Sequence, residues 1–302
     1  MDQHPTIGRF APSPTGPLHL GSLYTALAGF LQARSQQGQW RLRIDDLDTP
    51  RNVKGSADAI LKTLETFGLY WDGEVYYQSR HIDIYNDAIR DLQQKQLIYP
   101  CTCSRKTLTA NDRDHSPPDV YPGICRDRQS PPACPHALRI KTDNRIVAFQ
   151  DALQGWVCHR LAEQDGDFII KRKDRIIAYQ FAVVIDDDLQ QVNHIVRGFD
   201  LLAATPKQIY LQQMLGLATP SYMHVPVIVD EQGYKLSKQT QATAVNLTAP
   251  HRVIFELLNL LKQNPPVELQ HAAVTEQLSW AIEQWNPALL KNTHAVNGGA
   301  PR

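Results

Sequence analysis

The passage from Thr6 to Leu31 constrains the fold more than any other part of the chain. Thr6 to Ala11 is a short run that ends in Pro12-Ser13-Pro14-Thr15-Gly16-Pro17, after which Leu20, Tyr24, Leu27 and Leu31 recur at helical spacing. Proline fixes φ and lacks an N–H, so the proline-rich stretch suits neither a helix interior nor a sheet ladder. It reads as a tight loop between a strand and a helix, the opening of a βα unit. The pattern repeats at Trp40-Arg41-Leu42-Arg43-Ile44, a strand ending in Asp45-Asp46-Leu47-Asp48, with helices predicted over Ser56 to Phe67 and Ile82 to Leu97. Gly68 and Pro100 are placed to stop those helices. Strand then helix, repeated, predicts a parallel sheet in a doubly wound α/β fold.

Between Asn111 and His136 the chain carries Pro117, Pro118, Pro122, Pro131, Pro132 and Pro135, too many for regular helix or a central strand, so this is an insert. Regular patterning resumes at Phe168-Ile169-Ile170. The unbroken run Tyr179-Gln180-Phe181-Ala182-Val183-Val184-Ile185, ending in Asp186-Asp187-Asp188, reads as a buried strand reaching an active-site edge. Val225-Pro226-Val227-Ile228-Val229 predicts a further strand that turns through Gly233. A helix begins near Pro250, with Thr248 as its cap and Ile254, Leu257, Leu258 and Leu261 on one face. The tail Asn297-Gly298-Gly299 is expected to fray.

Lys plus Arg equals Asp plus Glu at 31 each, so any basic surface for nucleic acid has to be local. No run approaches the roughly 18 apolar residues of a membrane span, and Met1 to Pro5 has neither a basic patch nor an apolar core. A cytoplasmic protein with no membrane partner is expected. The five cysteines, Cys101, Cys103, Cys125, Cys134 and Cys158, are an odd number and argue against a disulfide framework. Three of them fall within 25 residues, a crowding that suggests metal binding. Structural zinc takes four ligands, and by chemistry alone His115, or Cys134 with His136, can add to the thiolates of Cys101, Cys103 and Cys125.

Two strings suit phosphate. His19-Leu20-Gly21-Ser22 sits where the proline loop meets the first helix, and a helix N-terminus offers unpaired N–H groups and partial positive charge. His19 can donate to an α-phosphate whose charge grows during displacement, and Gly21 leaves room for a base or phosphate. By itself the string is common, and a histidine that only caps the helix fits it equally well. Lys235-Leu236-Ser237-Lys238 supplies two mobile point charges suited to the β- and γ-phosphates, although alone it reads as an exposed basic turn. Each follows a strand, and most of the chain separates them. Together they resemble the paired signatures of class I aminoacyl-tRNA synthetases. Arg9-Phe10-Ala11-Pro12-Ser13-Pro14-Thr15-Gly16, His19-Leu20-Gly21, Leu42-Arg43-Ile44-Asp45-Asp46-Leu47-Asp48 and Val196-Arg197-Gly198 resemble the glutamyl branch of that family, over roughly residues 6 to 240.

The resemblance implies a Rossmann-like parallel sheet with a zinc-bearing insert and a short helical C-terminal segment. Residues 1–100 and 166–240 would be two halves of a nucleotide-binding domain, 101–165 the insert, and 241–302 a helical region without an anticodon-binding domain. It implies a ligase that activates L-glutamate with ATP and Mg²⁺, with His19, Gly21, Lys235 and Lys238 on ATP, His19 and Lys238 among them being catalytic. It sets Arg9, Phe10, Ala11, Pro12, Ser13, Asp45, Tyr179 and Arg197 around glutamate, Asp45 receiving the amino group where glutamyl synthetases commonly carry Glu. One structural zinc is implied at Cys101, Cys103, Tyr121 and Cys125. Asp186 and Asp187 stay out of the set, since carboxylates at a strand end are commonly only solvated. About 60 residues follow the lysine string, too few for a helical anticodon-binding region. Shortened relatives with such an ending transfer glutamate to the cyclopentene-diol ring of queuosine in the anticodon of tRNA(Asp). A monomer is expected. The rival readings are a truncated enzyme charging a tRNA 3′ end, a non-catalytic RNA-binding paralogue, and an adenylating ligase loading a small molecule or carrier protein.

Overall fold

The computed structural model describes residues 5–104, 120–128, 130–234 and 244–298. The opening βα unit forms as expected, with β1 (Ile7–Phe10) leading through the proline loop into α1 (Leu20–Ser35). The loop has few N–H groups of its own, and its neighbours pin it. Ser56 Oγ accepts from the Gly16 N–H and donates to the Gly16 carbonyl, while the Asp45 and Val53 N–H groups donate to the Pro12 and Pro14 carbonyls. β2 (Gln39–Ile44) pairs parallel with β1, and β3 (Tyr76–Tyr77) pairs parallel with β2.

A second group holds β9 (His194–Gly198), β10 (Ser221–Val225) and β6 (Ile146–Asp151), all parallel, with β7 (Gly155–Arg160) antiparallel at its edge. β1 lies against β9, and the Asn193 N–H donates to the Ile7 carbonyl at 3.1 Å. Successive residues feed opposite faces. Val196 and Met223 join Phe10, Trp40 and α1 in one core, whereas Ile195 and Tyr222 join Ile7 and Phe181 in the other. A sheet covered on both faces is the doubly wound arrangement. The covering helices are α2 (Ser56–Thr66), α3 (Ile82–Gln94), the single turn α4 (Leu161–Gln164), α5 (Tyr179–Leu189), α6 (Thr205–Leu215), α7 (Pro250–Leu260) and α8 (Val274–Gln284).

Several expectations change. The run from Tyr179 to Ile185 is not a strand but the first turns of α5, in which Phe181 to Asp187 are all buried. A helix enclosed on every side shows no polar stripe, and an unbroken apolar run looks the same in a buried strand. α3 stops at Gln94; Gln96 takes φ +57°, and Pro100 lies within the edge strand β4 (Ile98–Cys101). An edge strand tolerates a missing N–H on its outer side. Pro226 divides the expected strand into β10 and β11 (Val227–Val229). The Thr248 hydroxyl donates to Asn246 Oδ1, so it is no cap; α7 starts at Pro250 with Ala249 before it.

The tail is held as far as Gly298. β12 (Ala295–Asn297) pairs parallel with β11, and the Gly298 N–H donates to the Val229 carbonyl at 2.9 Å. Ile254, Leu257, Leu258, Leu278 and Ala281 share the α1 core, and Trp285 Nε1 donates to Gln32 Oε1 at 2.7 Å. The helical ending is therefore an integral layer. In the proline-rich region the described residues 120–128 and 130–136 form no helix or strand, only turns and one bridge from Tyr121 to Gly166. Beside them β4, β5 (Ala137–Ile140) and β8 (Phe168–Lys171) make a small antiparallel sheet. Among the described residues no helix is long and apolar enough to cross a membrane.

Candidate functional site

A cleft of about 290 Å³ opens at the carboxyl ends of β1 and β9, the adjacent strands of the two groups. That junction is where open α/β sheets hold ligands. Arg9, Phe10, Ala11, Pro12, Ser13, His19, Gly21, Tyr179 and Arg197 all line it. The helical start of α5 brings Tyr179 to the rim, whereas the expected strand would have set Asp186 to Asp188 at the site edge and Tyr179 at its far end. Lys235 and Lys238 lie outside the described residues.

His19 is the N-cap of α1. Its Nδ1 accepts from the Ser22 N–H at 3.2 Å, and its Nε2 lies 2.9 Å from Ser22 Oγ. The capping reading and the cleft reading thus hold together, because the cap sits on the cleft wall. Asp45 is not among the lining residues. It is buried next to them, with Oδ1 accepting from Arg43 Nε at 2.7 Å. Burial pushes its pKa up to about 6 against the pull of Arg43, and Asp186 adds to the rise.

Behind Arg9 lies a buried charge network. Arg9 Nε donates to Asp187 Oδ1 at 3.1 Å, and the same oxygen accepts from Arg43 Nη1 at 2.7 Å. Burial alone would raise the Asp187 pKa, but Arg9 and Arg43 hold it below the usual carboxylate range. Asp186 accepts from Tyr76 and Tyr85 hydroxyls and from Gln78 Nε2 at 2.9, 2.6 and 2.6 Å. Burial raises its pKa despite Arg43 and those three donors. The expectation that both carboxylates are merely solvated is overturned, since they sit on a buried helix rather than at a strand end. No local pattern signals this, because Arg9 and Asp187 are 178 residues apart.

Arg197, on β9, is held differently. Its Nε donates to His224 Nε2 at 3.0 Å, Nη1 to Gln208 Oε1 at 2.7 Å and Nη2 to Thr205 Oγ1 at 2.8 Å. All three partners carry no charge when His224 is neutral. His224 and Asp151 are functional candidates that sequence reading misses. A histidine inside the apolar run Tyr222-Met223-His224-Val225 is a faint signal for the first; Asp151 leaves none.

The neutral chain does build a local basic surface. The β8 hairpin Lys171-Arg172-Lys173-Asp174-Arg175 banks a hollow of about 580 Å³ with Pro132, Pro135 and His136; Asp174 pairs with Arg172 at 2.6 Å, so the basic excess rests on Lys171, Lys173 and Arg175. Arg172 Nη1 lies 3.4 Å from Asp48 Oδ2, and Lys173 Nζ donates to the Thr102 carbonyl at 2.7 Å. The hairpin therefore bridges the acidic end of β2 and the cysteine-rich segment.

In that segment the Cys101, Cys103 and Cys125 sulfurs lie within 4.8 Å of one another. Tyr121 Oη is 3.4 Å from Cys101 Sγ and 3.7 Å from Cys103 Sγ, and it accepts from the Cys125 N–H at 3.0 Å. A tetrahedron of Zn–S bonds of about 2.3 Å has an edge of about 3.8 Å. Cys103 and Cys125 are 3.7 Å apart, so the donor set fits a tetrahedral ion. Arg139 stands 3.7 Å over the Tyr121 ring and donates to Cys101 Sγ, placing positive charge beside the anionic form of such ligands. Cys134 is exposed, and the described clustered donors do not include it or His136; His115 lies outside the described residues. Burial pushes Cys103 up to about 11. For Cys125 burial also acts upward, but bonds from Thr102, Cys103 and Tyr121 prevail and bring it to about 7.

A sequence profile for the catalytic domain of class I tRNA synthetases (E and Q) matches residues 6–252. Curated relatives include the glutamyl-Q tRNA(Asp) synthetase of Aromatoleum aromaticum, 47% identical over 282 residues, which covers 93% of this chain and 89% of the relative. The protein of the same name from Methylococcus capsulatus is 46% identical over 301 residues, 98% of each. Among solved structures, a glutamate tRNA ligase of Elizabethkingia meningosepticum in complex with its amino acid aligns with a TM-score of 0.81. At 24% identity, covering 98% of this chain and 68% of that one, the likeness is one of fold.

Proposed function

This chain belongs to the family of class I tRNA synthetases (E and Q) and is a ligase; on that premise we propose that it activates L-glutamate with ATP and transfers it to the queuosine base in the anticodon of tRNA(Asp). The observation that carries this reading is one cleft combining two buried arginines with the N-terminus of α1. Arginines recognise the carboxylates of glutamate, and a helix N-terminus favours phosphate.

In the first step a glutamate α-carboxylate oxygen attacks the α-phosphorus of ATP, and the bond to the bridging oxygen of pyrophosphate breaks. Mg²⁺ accompanies the phosphates as part of the substrate. Arg9 and Arg197 orient glutamate, with Phe10 to Ser13 and Tyr179 forming its walls and Asp45, buried next to that lining, as the negative charge nearest the ammonium's expected place. His19 and the α1 N-terminus stabilise charge on the α-phosphate, Gly21 admits the nucleotide, and Lys235 and Lys238 take the β- and γ-phosphates. In the second step a queuosine ring hydroxyl attacks the glutamyl carbonyl, AMP leaves, and the hydroxyl proton passes to the departing phosphate or solvent. No protein nucleophile is needed, because adenylate is already a good leaving group, and the residues act by positioning and charge stabilisation. The basic excess of the hairpin Lys171 to Arg175, four cations against Asp174, supports an RNA partner for a chain whose overall charge is balanced. Cys101, Cys103, Tyr121 and Cys125 would hold one zinc, which supplies folding energy to a segment with little apolar content.

The test uses labelled glutamate, ATP and tRNA with or without queuosine, followed by nuclease digestion to locate the label. Label on queuosine is the expected result. Label on the terminal adenosine would instead identify a 3′-charging enzyme, and absent pyrophosphate exchange a non-catalytic paralogue. Lys238→Ala is expected to cut pyrophosphate exchange by orders of magnitude with glutamate binding nearly intact.

A further inference from the structure

We propose that Asp151 and His224 are positioning residues that fix Arg197 as an undiminished cation facing the anionic end of the amino-acid substrate. The inference rests on the reading that the cleft binds glutamate. His224 is fully buried on β10, between β6, which ends in Asp151, and β9, which carries Arg197. Asp151 Oδ2 lies 2.6 Å from His224 Nδ1, and its two oxygens also accept the N–H groups of Leu153, Gln154 and His224. A carboxylate so provided with donors stays ionised and can only accept, so the imidazole proton sits on Nδ1. Nε2 is then a lone pair, and it meets Arg197 Nε, which can only donate, at 3.0 Å. Chemistry at both ends thus selects one neutral tautomer.

The consequence is electrostatic. Gln208 and Thr205 complete the hold on Arg197 with an amide oxygen and a hydroxyl. Three of the five guanidinium N–H groups are therefore oriented by uncharged acceptors, and Asp200, the carboxylate in the same cleft lining, is not one of them. A carboxylate in direct contact would set the same geometry but cancel the charge that an incoming anion is to meet. Interposing the imidazole moves the Asp151 charge one ring away while using it to set the tautomer.

The test measures pyrophosphate exchange and calorimetric glutamate binding for His224→Leu, His224→Gln and Asp151→Asn, with folding checked by circular dichroism. Glutamine keeps a donor for Asp151 and an acceptor for Arg197. His224→Leu is expected to raise the KM for glutamate tenfold or more with the KM for ATP within twofold, and His224→Gln to recover most of that loss. In parallel, ¹⁵N NMR of the unaltered protein with labelled histidine is expected to show His224 protonated on Nδ1 alone; this arm decides the tautomer even if a variant does not fold. Protonation on Nε2, or equal glutamate KM values for the leucine and unaltered proteins, overturns the proposal. If the unaltered protein binds glutamate but exchanges no pyrophosphate, the functional reading fails while the calorimetric and NMR arms still judge this one.

Discussion

The two cleft arginines, Arg9 and Arg197, are both buried, yet their surroundings differ in kind. Arg9 shares Asp187 with Arg43 inside a network that includes Asp45 and Asp186, so its charge is largely matched before any substrate arrives. Arg197 is gripped by an imidazole, an amide and a hydroxyl. Removing one member of a buried ion network leaves an uncompensated charge and costs about 3 to 5 kcal/mol. Removing a cation held by neutral acceptors on a cleft wall lets water satisfy them. The first arginine is thus tied to stability as well as to binding, and the second chiefly to binding.

The sharpest way to break that contrast is Arg197→Ala, for which the KM for glutamate is expected to rise about 100-fold, since a substrate carboxylate loses a charge-assisted bond in a desolvated site. Its urea midpoint should stay near that of the unaltered protein. If the midpoint falls as far as in Arg9→Ala, the distinction is lost. Asp187→Asn is expected to lower unfolding free energy by about 3 kcal/mol, read from urea denaturation, because two buried guanidiniums lose their shared anion.

Converting Lys173 and Arg175 to Glu touches neither arginine. About tenfold weaker tRNA binding, with a shallower salt dependence and unchanged pyrophosphate exchange, is expected from filter binding at several salt concentrations. Cys125→Ser should abolish bound zinc in native mass spectrometry and lower the melting temperature by several degrees, while the glutamate KM changes less than twofold.

The smallest effect concerns Asp45, whose pKa is pushed up to about 6. The ammonium role proposed for Asp45 needs the ionised form, so on that proposal the glutamate KM should rise about fourfold as pH falls from 7.5 to 5.5, and Asp45→Asn should flatten that limb. Stability runs the other way. A carboxyl raised from about 3.9 in the unfolded chain binds more protons when folded, so its contribution is full below that value and is lost as pH climbs through about 6.

Much of the site was readable from residue order alone. The proline loop, His19 at the start of α1 and the cysteine spacing are local signals, because turns, caps and short chelating loops are built by residues close in sequence. Misreading α5 as a strand has an equally local cause: its burial on all sides erased the periodicity that distinguishes the two. Thr248 shows the reverse error, a good capping residue whose hydroxyl found Asn246 first.

By itself the sequence determined a parallel α/β chain of this family, most of the residues lining the cleft and three cysteines that could hold a metal ion. Only the tertiary structure decided how each charge is held. The partners of Arg9 and Arg197 come from strands and helices up to 178 residues away, brought alongside by strand order and by helices packed on both faces of the sheet. The same residue type therefore became a balanced ion in one wall of the cleft and an unbalanced one in the other. That difference arises from which neighbours burial leaves to satisfy a guanidinium, a property of the packed sheet rather than of any local run of residues.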